Sequence, residues 1–264
     1  VFILALALTD GLLTGCGKGD TKDDNAGKGR YIEKDIELPF KDGEGGISFS
    51  KSKDGNPLLF GSKGSEVNRY EYKDGEWKET PVKWIAELYQ DQPPYLVDME
   101  ETADGTQVLL SVNMETQQFQ LARGKEGGAG EALDAAYLKQ ETEYGTPMVA
   151  DLLVDDAGNY WLQDIYQQKV VILSPDTLET VSEIQTIQSV SNSEKLMAKG
   201  SDGMVAVNTE EGIYTLYQSG SLAEKGTLKQ ENGEHGQLCS DGSNWYTVSE
   251  DGISRKQSGN DISE

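Results

Sequence analysis

Short apolar segments alternate with polar turns along the chain from about Tyr31 onward. Alternation of apolar and polar residues is typical of half-buried β-strands, and the three- and four-residue spacing of amphipathic helices is almost absent. The one helical candidate, residues 126–140, has three glycines in its first half, so we expect a loop with one helical turn there. The pattern therefore predicts an all-β fold.

Five polar turns recur along this region, each directly before an apolar strand. Aspartate and glycine between apolar runs form a strong hairpin signal, because the turn positions favour positive φ. The turn aspartates lie 50, 52, 46 and 39 residues apart, which brackets the length of a four-stranded propeller blade. We predict a β-propeller with about five visible four-stranded blade units, incomplete within this sequence; an all-β sandwich is the alternative. The predicted turn residues are Asp54, Gly55, Asp104, Gly105, Asp156, Gly158, Asp202, Gly203, Asp241 and Gly242.

Two tryptophans follow turns of this kind. The segments Asp155–Leu162 and Asp241–Trp245 resemble the D-x-x-G-N-x-W signature of bacterial propeller repeats. The first also resembles the Asp-box of sialidases, with Val154 where that motif has serine. In those families the motif stabilises a blade turn away from the active site. The resemblance implies that Trp161 and Trp245 are packing residues between blades.

The start of the chain has a different character. An apolar run, Val1–Leu8, is followed by Leu13-Thr14-Gly15-Cys16, which resembles the lipobox of bacterial lipoproteins. In that family the signal peptidase cuts before the cysteine, whose sulfur carries a diacylglyceryl group. The run is too short to span a bilayer, and the polar, glycine-rich segment 17–29 has the composition of a flexible tether. We expect Cys16 to be lipidated, with Leu13, Thr14 and Gly15 as its lipobox; a buried N-terminal strand is the alternative.

These patterns predict three regions. Residues 1–15 are a lipoprotein signal peptide, truncated because no basic residue precedes the apolar run, and 16–30 are the lipidated cysteine and its tether. Residues 31–264 are the repeat domain, which we expect to be truncated at its C-terminus and closed by a strand from Tyr31–Leu38. With only Cys16 and Cys239 in the chain, the sequence fits the extracytoplasmic face of a Gram-positive-type cell membrane.

The composition of the chain argues against several classes of function. The net charge of −23 repels a phosphate backbone, which argues against nucleic-acid partners. A single histidine, His235, argues against multi-histidine metal sites, and Cys239 is expected to be a buried, inert thiol. No segment matches a twelve-residue calcium loop, and the arginines, one of which is Arg30 beside the tether, do not suggest a sialidase triad. We expect no enzyme activity, cofactor or metal.

Two groups of residues remain candidates for chemistry. A polysaccharide hydrolase or lyase needs paired carboxylates. The carboxylates considered, all expected to be solvated at turns or strand edges, are Asp151, Asp155, Asp156 and Asp164. Tyrosines near loops can stack on sugars or peptides, or lie on a sheet surface. The tyrosines of this kind are Tyr89, Tyr95, Tyr144 and Tyr166.

From the lipobox through the letters GRYIEKDIELP at 29–39, the sequence resembles clostridial cell-surface lipoproteins over about 30 residues. In that group the segment introduces propeller-like repeats, and some members continue into an extracellular solute-binding domain of an ABC importer for sugars. The resemblance implies a membrane-anchored, non-catalytic binding module with a carbohydrate or peptide ligand and ABC permease subunits as partners. A scaffold for protein assembly and an extracytoplasmic polysaccharide hydrolase or lyase are the alternatives.

Overall fold

The computed structural model describes residues 36–40, 43–63, 66–90, 94–141, 145–189, 194–200, 203–229, 237–240, 244–249 and 252–258. The chain divides into two units, 1–38 and 39–264; in the first, only Ile36–Leu38 are described, and they form no strand. Several predicted features lie outside the described residues: Leu13, Thr14, Gly15, Cys16, Arg30, the segment 31–35, Tyr144, Asp202, His235, Asp241 and Gly242.

The described part of the second unit is nearly all β and forms five antiparallel sheets. Sheet 1 contains β1 (Gly45–Lys51), β2 (Pro57–Lys63), β3 (Glu66–Lys73) and β4 (Glu76–Pro81). Sheet 2 contains β5 (Tyr95–Glu101), β6 (Gln107–Asn113), β7 (Gln118–Gly124) and β8 (Glu131–Leu133). Sheet 3 contains β9 (Val149–Val154), β10 (Tyr160–Asp164), β11 (Lys169–Leu173) and β12 (Thr180–Gln185).

The last two sheets follow the same plan. Sheet 4 contains β13 (Met197–Lys199), β14 (Met204–Glu210), β15 (Ile213–Gln218) and β16 (Glu224–Lys229). The described strands of sheet 5 are β17 (Gln237–Ser240), β18 (Asn244–Ser249) and β19 (Gly252–Ser258). In every sheet the strands pair in chain order, as in a meander.

The first strands of successive sheets contact one another: β1 contacts β5, β5 contacts β9, β9 contacts β13, and β13 contacts β17. The first strand of each sheet is therefore its inner strand, and the later strands lie progressively outward. Meander sheets with contacting inner strands are the blades of a β-propeller. The prediction of an all-β propeller is confirmed.

The meander gives the propeller two distinct faces. Connections between sheets, and turns between the second and third strands of each sheet, lie at one end of the strands; we call this the connection face. Turns between the first and second strands, and between the third and fourth, lie at the other end, which we call the turn face. Antiparallel pairing fixes this assignment, since consecutive strands run in opposite directions.

Apolar clusters fill the junctions between neighbouring sheets. Trp161 of β10 packs with Met197 and Val205 of sheet 4, whereas the next residue, Leu162, packs with Leu110 and Leu121 of sheet 2. Successive side chains on a strand point to opposite faces, so a sheet buried on both sides needs an unbroken apolar run. This explains the apolar runs of β10 and β11, residues 160–162 and 170–173; the buried polar residues that complete these strands, Gln163, Asp164 and Lys169, are hydrogen-bonded.

Two short helical segments connect sheets. The helix α1 (Lys83–Tyr89) joins sheets 1 and 2 and buries Trp84 and Ile85; the sequence analysis did not predict it, because seven residues give little periodicity. Ala136–Lys139 form a single turn of 3-10 helix, which confirms the one helical turn expected in 126–140; the short strand β8 was not expected. Among the described residues, no helix is both long and apolar enough to cross a membrane.

Candidate functional site

The described turn residues lie on the turn face, between the first and second strands of sheets 1 to 4. They are Asp54, Gly55, Asp104, Gly105, Asp156, Gly158 and Gly203. The four glycines have φ values of +83°, +79°, +88° and +67°, a left-handed conformation that other residues rarely adopt. The three glycines in sheets 1 to 3 also donate their N–H to the residue three positions earlier: Ser52, Thr102 and Asp155. The glycines therefore mark the structural repeat.

The two aspartates of the turn in sheet 3, Asp155 and Asp156, make different contacts. In sheet 3 the buried carboxylate of Asp155, rather than that of Asp156, accepts hydrogen bonds from the N–H groups of Ala157 and Asn159, both at 2.9 Å. Asp156 forms an ion pair with Lys199 at 2.8 Å. The residue three positions before the repeated glycine is thus the one that closes this turn.

The two predicted tryptophans lie at junctions between sheets. Trp161 is fully buried between sheets 3 and 4, and its Nε1 donates to Asp155 at 3.0 Å. Trp245 is buried between sheets 4 and 5, so close to Gly200 that a Cβ there would lie 2.6 Å from the indole. Neither ring has an exposed face on which a ligand could stack.

The inner strands bring four polar side chains together near the axis of the propeller. We call Ser48 of β1, Asp98 of β5, Asp151 of β9 and Lys195, which precedes β13, the axial cluster. Lys195 Nζ lies 3.0 Å from an oxygen of Asp98 and 2.5 Å from one of Asp151, and the Ser48 hydroxyl donates to Asp98 at 2.5 Å. One ammonium group therefore connects two buried carboxylates and three of the sheets.

Every acceptor position of Asp98 is occupied. One oxygen accepts from Ser48 and the Met99 N–H, and the other accepts from the Leu152 N–H and Lys195. Burial raises the pKa of Asp98, but the Lys195 charge and these hydrogen bonds outweigh it and lower the pKa to about 2. Asp98 is thus ionised at all physiological pH values.

The pKa values of two neighbouring carboxyl groups, Asp151 and Glu100, are raised above their ordinary values. Burial raises the pKa of Asp151 well above its ordinary value, because Lys195, which opposes the shift, is shared with the negative Asp98. Burial and the charge of Asp98 also raise the pKa of Glu100, two residues further along β5, to about 7. Asp151 and Glu100 therefore bind protons at higher pH than ordinary carboxyl groups do.

The prediction that the candidate carboxylates are solvated is wrong for three of the four. Asp151, Asp155 and Asp164 are buried, and only Asp156 is exposed. Asp98 was not considered from the sequence, although a signal exists: Ser48, Asp98 and Asp151 each lie seven residues before a repeated turn glycine. A polar residue at a fixed distance from these glycines therefore faces the axis.

On the connection face, two turns are held by the same hydrogen bonds. Asn113 Oδ1 accepts from the N–H groups of Glu115 and Thr116, and Asp164 Oδ1 accepts from those of Tyr166 and Gln167. Such side-chain-to-backbone bonds fix a turn locally. The hydroxyl of Tyr137 additionally donates to Asp164 at 2.6 Å. Both turns are consequently rigid.

Large apolar side chains are exposed on this face. Tyr95 is 51% exposed at the start of β5, Met114 is 60% exposed in the turn after β6, and Tyr166 is 50% exposed in the turn after β10. Because β5 pairs with β6, Tyr95 lies opposite Val112, close to the Met114 turn. Tyr89, at the end of α1, is partly buried instead.

Cys239 lies on β17, and its side chain is partly exposed rather than buried as the sequence predicts.

A cleft of about 280 Å³ opens between sheets 1 and 2. It is lined by Arg69, Thr80, Pro81, Val82, Lys83, Trp84, Gln107, Glu126 and Gly127. Arg69 bonds Glu101 through Nε and Nη2, at 2.8 and 3.0 Å, and Glu71 through Nη1 at 3.0 Å. Burial raises the pKa of Glu71, but hydrogen bonds from Asn56 and Arg69 lower it to about 2.

Within the described residues, no group of three or more acidic, histidine or cysteine side chains could hold a metal ion.

No family model matches the sequence, and no curated protein sequence is similar to it. Solved structures of similar fold include PorZ, a bacterial surface component of the type-IX secretion system of Porphyromonas gingivalis (TM-score 0.50, 9% identity, 81% of this chain and 27% of that chain). Virginiamycin B lyase from Staphylococcus aureus aligns at a TM-score of 0.49 with 10% identity, over 85% of this chain and 73% of the lyase. YCF48 bound to the D1 peptide aligns at a TM-score of 0.47 with 13% identity, over 86% and 68%. At these identities the similarity extends to fold alone.

Proposed function

We propose that this protein is a membrane-anchored, extracytoplasmic lipoprotein whose propeller is a non-catalytic binding module. The binding part of the proposal rests on one observation: Tyr95, Met114 and Tyr166 expose apolar surface on the connection face. Aromatic and methionine side chains are enriched in binding interfaces, and a side chain on a rigid turn loses little entropy when it binds. A carbohydrate or peptide fits such a surface.

The non-catalytic part of the proposal rests on the axial cluster. A general acid or a nucleophile needs a lone pair or proton that can reach the substrate. Asp98 and Asp151 are 2% and 3% exposed, and Lys195 bonds both. A substrate would have to displace Lys195 before either carboxylate could react. At this carboxylate pair, the hydrolase or lyase alternative requires that displacement.

The anchor rests on the resemblance of Leu13–Cys16 to a lipobox, followed by a polar tether. To test it, the chain from Leu13 onward is fused behind a host lipoprotein signal and expressed in a Gram-positive bacterium fed an alkyne-tagged fatty acid. Cys16→Ser should abolish labelling and release the protein from the membrane fraction. Equal labelling of both proteins would refute the anchor, and copurification of the anchored form with ABC permease subunits would support the importer role.

The binding face is tested with panels of glycans and peptides. We expect saturable binding to at least one ligand, weakened about tenfold by Tyr95→Ala or Tyr166→Ala. Val181→Ala is the matched control, because Val181 is 51% exposed on the outer strand of sheet 3 and away from this face. Equal losses in all three variants, or no binding at all, would contradict the proposal. Turnover that Asp98→Asn abolishes would favour the hydrolase instead, and crosslinked protein partners without any ligand would favour the scaffold.

A further inference from the structure

We propose that the cleft between sheets 1 and 2 is a second binding site, specific for a neutral polyhydroxylated ligand about the size of one sugar ring. It is separate from the connection-face residues Tyr95, Met114 and Tyr166, none of which lines it. Its volume of about 280 Å³ lies near the lower end of the range for small-molecule sites.

Arg69, a partly buried cation in the lining of the cleft, has hydrogen-bonding capacity that Glu71 and Glu101 do not use. The side chain of Arg69 is 12% exposed, and three of its five N–H groups are bonded to Glu71 and Glu101. Two N–H groups therefore have no described partner, although the side chain lines the cleft. A ligand hydroxyl in the cleft can accept from these N–H groups without displacing Glu71 or Glu101.

The groups behind Arg69 fix its position. Glu101 holds two of its nitrogens and also accepts from Gln107 Nε2 at 3.3 Å, while Gln107 Oε1 accepts from Trp84 Nε1 at 2.8 Å. Asn56 donates to Glu71 at 2.7 Å. Binding groups that are already held in place lose little entropy on binding, which favours weak-binding ligands such as sugars.

The charged side chains at the cleft favour a neutral ligand. The lining carries two positive groups, Arg69 and Lys83, and one negative group, Glu126, while Glu71 and Glu101 lie outside the lining and pair with Arg69. Because these two carboxylates already neutralise Arg69, an anion gains little from it, and the guanidinium at the cleft wall disfavours a cation in contact with it. The lining combines apolar atoms of Pro81 and Val82 with these donors and acceptors, which matches a ring with hydroxyl groups on its edge.

Trp84, which lines the cleft, packs closely against two glycines that lie outside the lining. A Cβ at Gly124 or at Gly130 would lie 2.5 Å from the indole, so both positions require glycine. Trp84 is only 1% exposed, so it supports Gln107 from behind and is not itself a stacking platform. Recognition would therefore depend on hydrogen bonds, and we expect affinity to fall when any one of them is removed.

The test is an NMR titration of the ¹⁵N-labelled chain with methyl glucoside, methyl galactoside, methyl mannoside and myo-inositol. Glucuronate and glucosamine serve as the charged counterparts. We expect saturable shifts at residues around the cleft for at least one neutral compound and at least tenfold weaker binding of its charged counterpart. Shifts for none of the neutral compounds, or equal affinity for the charged ones, would overturn the proposal.

Variants separate this site from the connection face and from a purely structural ion pair. Thr80→Trp places a large side chain at the cleft on the outer strand β4 and should abolish binding without changing Tm; Thr180→Trp, on the outer strand β12, is the matched control. Shifts around the cleft report this site, whereas shifts around Tyr95, Met114 and Tyr166 report the connection face, so the two binding proposals fail independently. If Thr80→Trp and Thr180→Trp bind equally well, Arg69 is only a structural ion pair and the site does not exist.

Discussion

The axial cluster and the cleft network each hold a cation between two carboxylates, but they differ in what remains unsatisfied. Lys195 lies between Asp98 and Asp151, and every acceptor position of Asp98 is filled. Arg69 lies between Glu71 and Glu101, yet two of its N–H groups have no described partner. The first arrangement fastens three blades together, and the second leaves hydrogen bonds available beside a cleft.

This comparison shows that the hydrogen-bonding positions left open on a charged side chain indicate whether it can also bind a ligand. Asp98 has every acceptor position filled and is 2% exposed, so its energetic role is limited to the fold and to the uniqueness of its packing. Arg69 has two further N–H groups beside a cavity, so a ligand can bind there without displacing Glu71 or Glu101. Loss of a cation should therefore affect stability in both regions but ligand binding only in the cleft.

Removing the cation of the axial cluster should have the largest effect. Lys195→Met leaves two buried carboxylates without their counter-ion, and we expect the free energy of unfolding at pH 8 to fall by about 2–4 kcal/mol; a fully buried pair would cost more, but Lys195 is partly exposed. The deficit should shrink at low pH, where the carboxyl groups are protonated. Urea unfolding at both pH values measures it. Lys139→Met, which removes an exposed pair with Asp134, should change stability by less than about 1 kcal/mol.

The two aspartates of the axial cluster should respond differently to neutralisation. Asp98 is stabilised as the anion, so Asp98→Asn should lower the free energy of unfolding by about 2 kcal/mol at pH 7.5. The pKa of Asp151 is raised, so Asp151→Asn removes an unfavourable anion and should cost clearly less. Thermal unfolding of the two variants side by side tests this order. A reversed order would mean that Lys195 stabilises mainly Asp151.

In the cleft, Arg69→Lys keeps the charge but loses the two-pronged contact with Glu101. We expect a loss of about 1–2 kcal/mol in the free energy of unfolding and complete loss of sugar binding. Denaturant unfolding and the NMR titration measure the two effects on the same sample. If Arg69→Lys still binds sugar but is less stable, Arg69 has only a structural role, as Lys195 has in the axial cluster, and the proposed difference between the two regions is wrong.

The smallest expected effect is a pH dependence from Glu100. Its pKa in the folded protein is about 7 and its ordinary value is 4.5, so the folded state binds this proton more tightly than the unfolded state. Stability from this group is therefore full below about pH 4.5 and is lost as the pH rises through 7. Ser50, Asp98, Lys195 and Lys199 are the groups that act on it.

Replacing Glu100 by glutamine should remove that loss. Glu100→Gln should match the parent chain at pH 4.5 and be more stable by about 1 kcal/mol at pH 8. A rise in pKa from 4.5 to about 7 corresponds to about 3 kcal/mol, but Glu100 is only partly buried, and solvent reduces the effect. Thermal unfolding across this range measures the difference. An equal pH slope in both proteins would show that Glu100 is solvated and titrates normally.

Much of the fold could be predicted from local sequence, but little of the chemistry could. Turns that contain aspartate and a glycine such as Gly55 or Gly105 are a local signal, because the glycine needs positive φ whatever surrounds it, and the spacing of the turn aspartates indicated the repeat. The partners Asp98, Asp151 and Lys195 are 53 and 44 residues apart, and no local pattern relates them. The helix α1 was missed because its burial depends on a neighbouring sheet rather than on its own seven residues.

By itself, the sequence determined the all-β class, the blade repeat, the acidity and the resemblance to a lipoprotein start, because each depends on composition or on contacts between near neighbours. Only the tertiary structure decided which carboxylates are buried, which of them share a lysine, and where a partly buried arginine lines a cleft. The physical reason is that a charge has the same chemistry in every sequence. Its pKa and its free hydrogen-bonding capacity depend on the neighbours that folding brings to it.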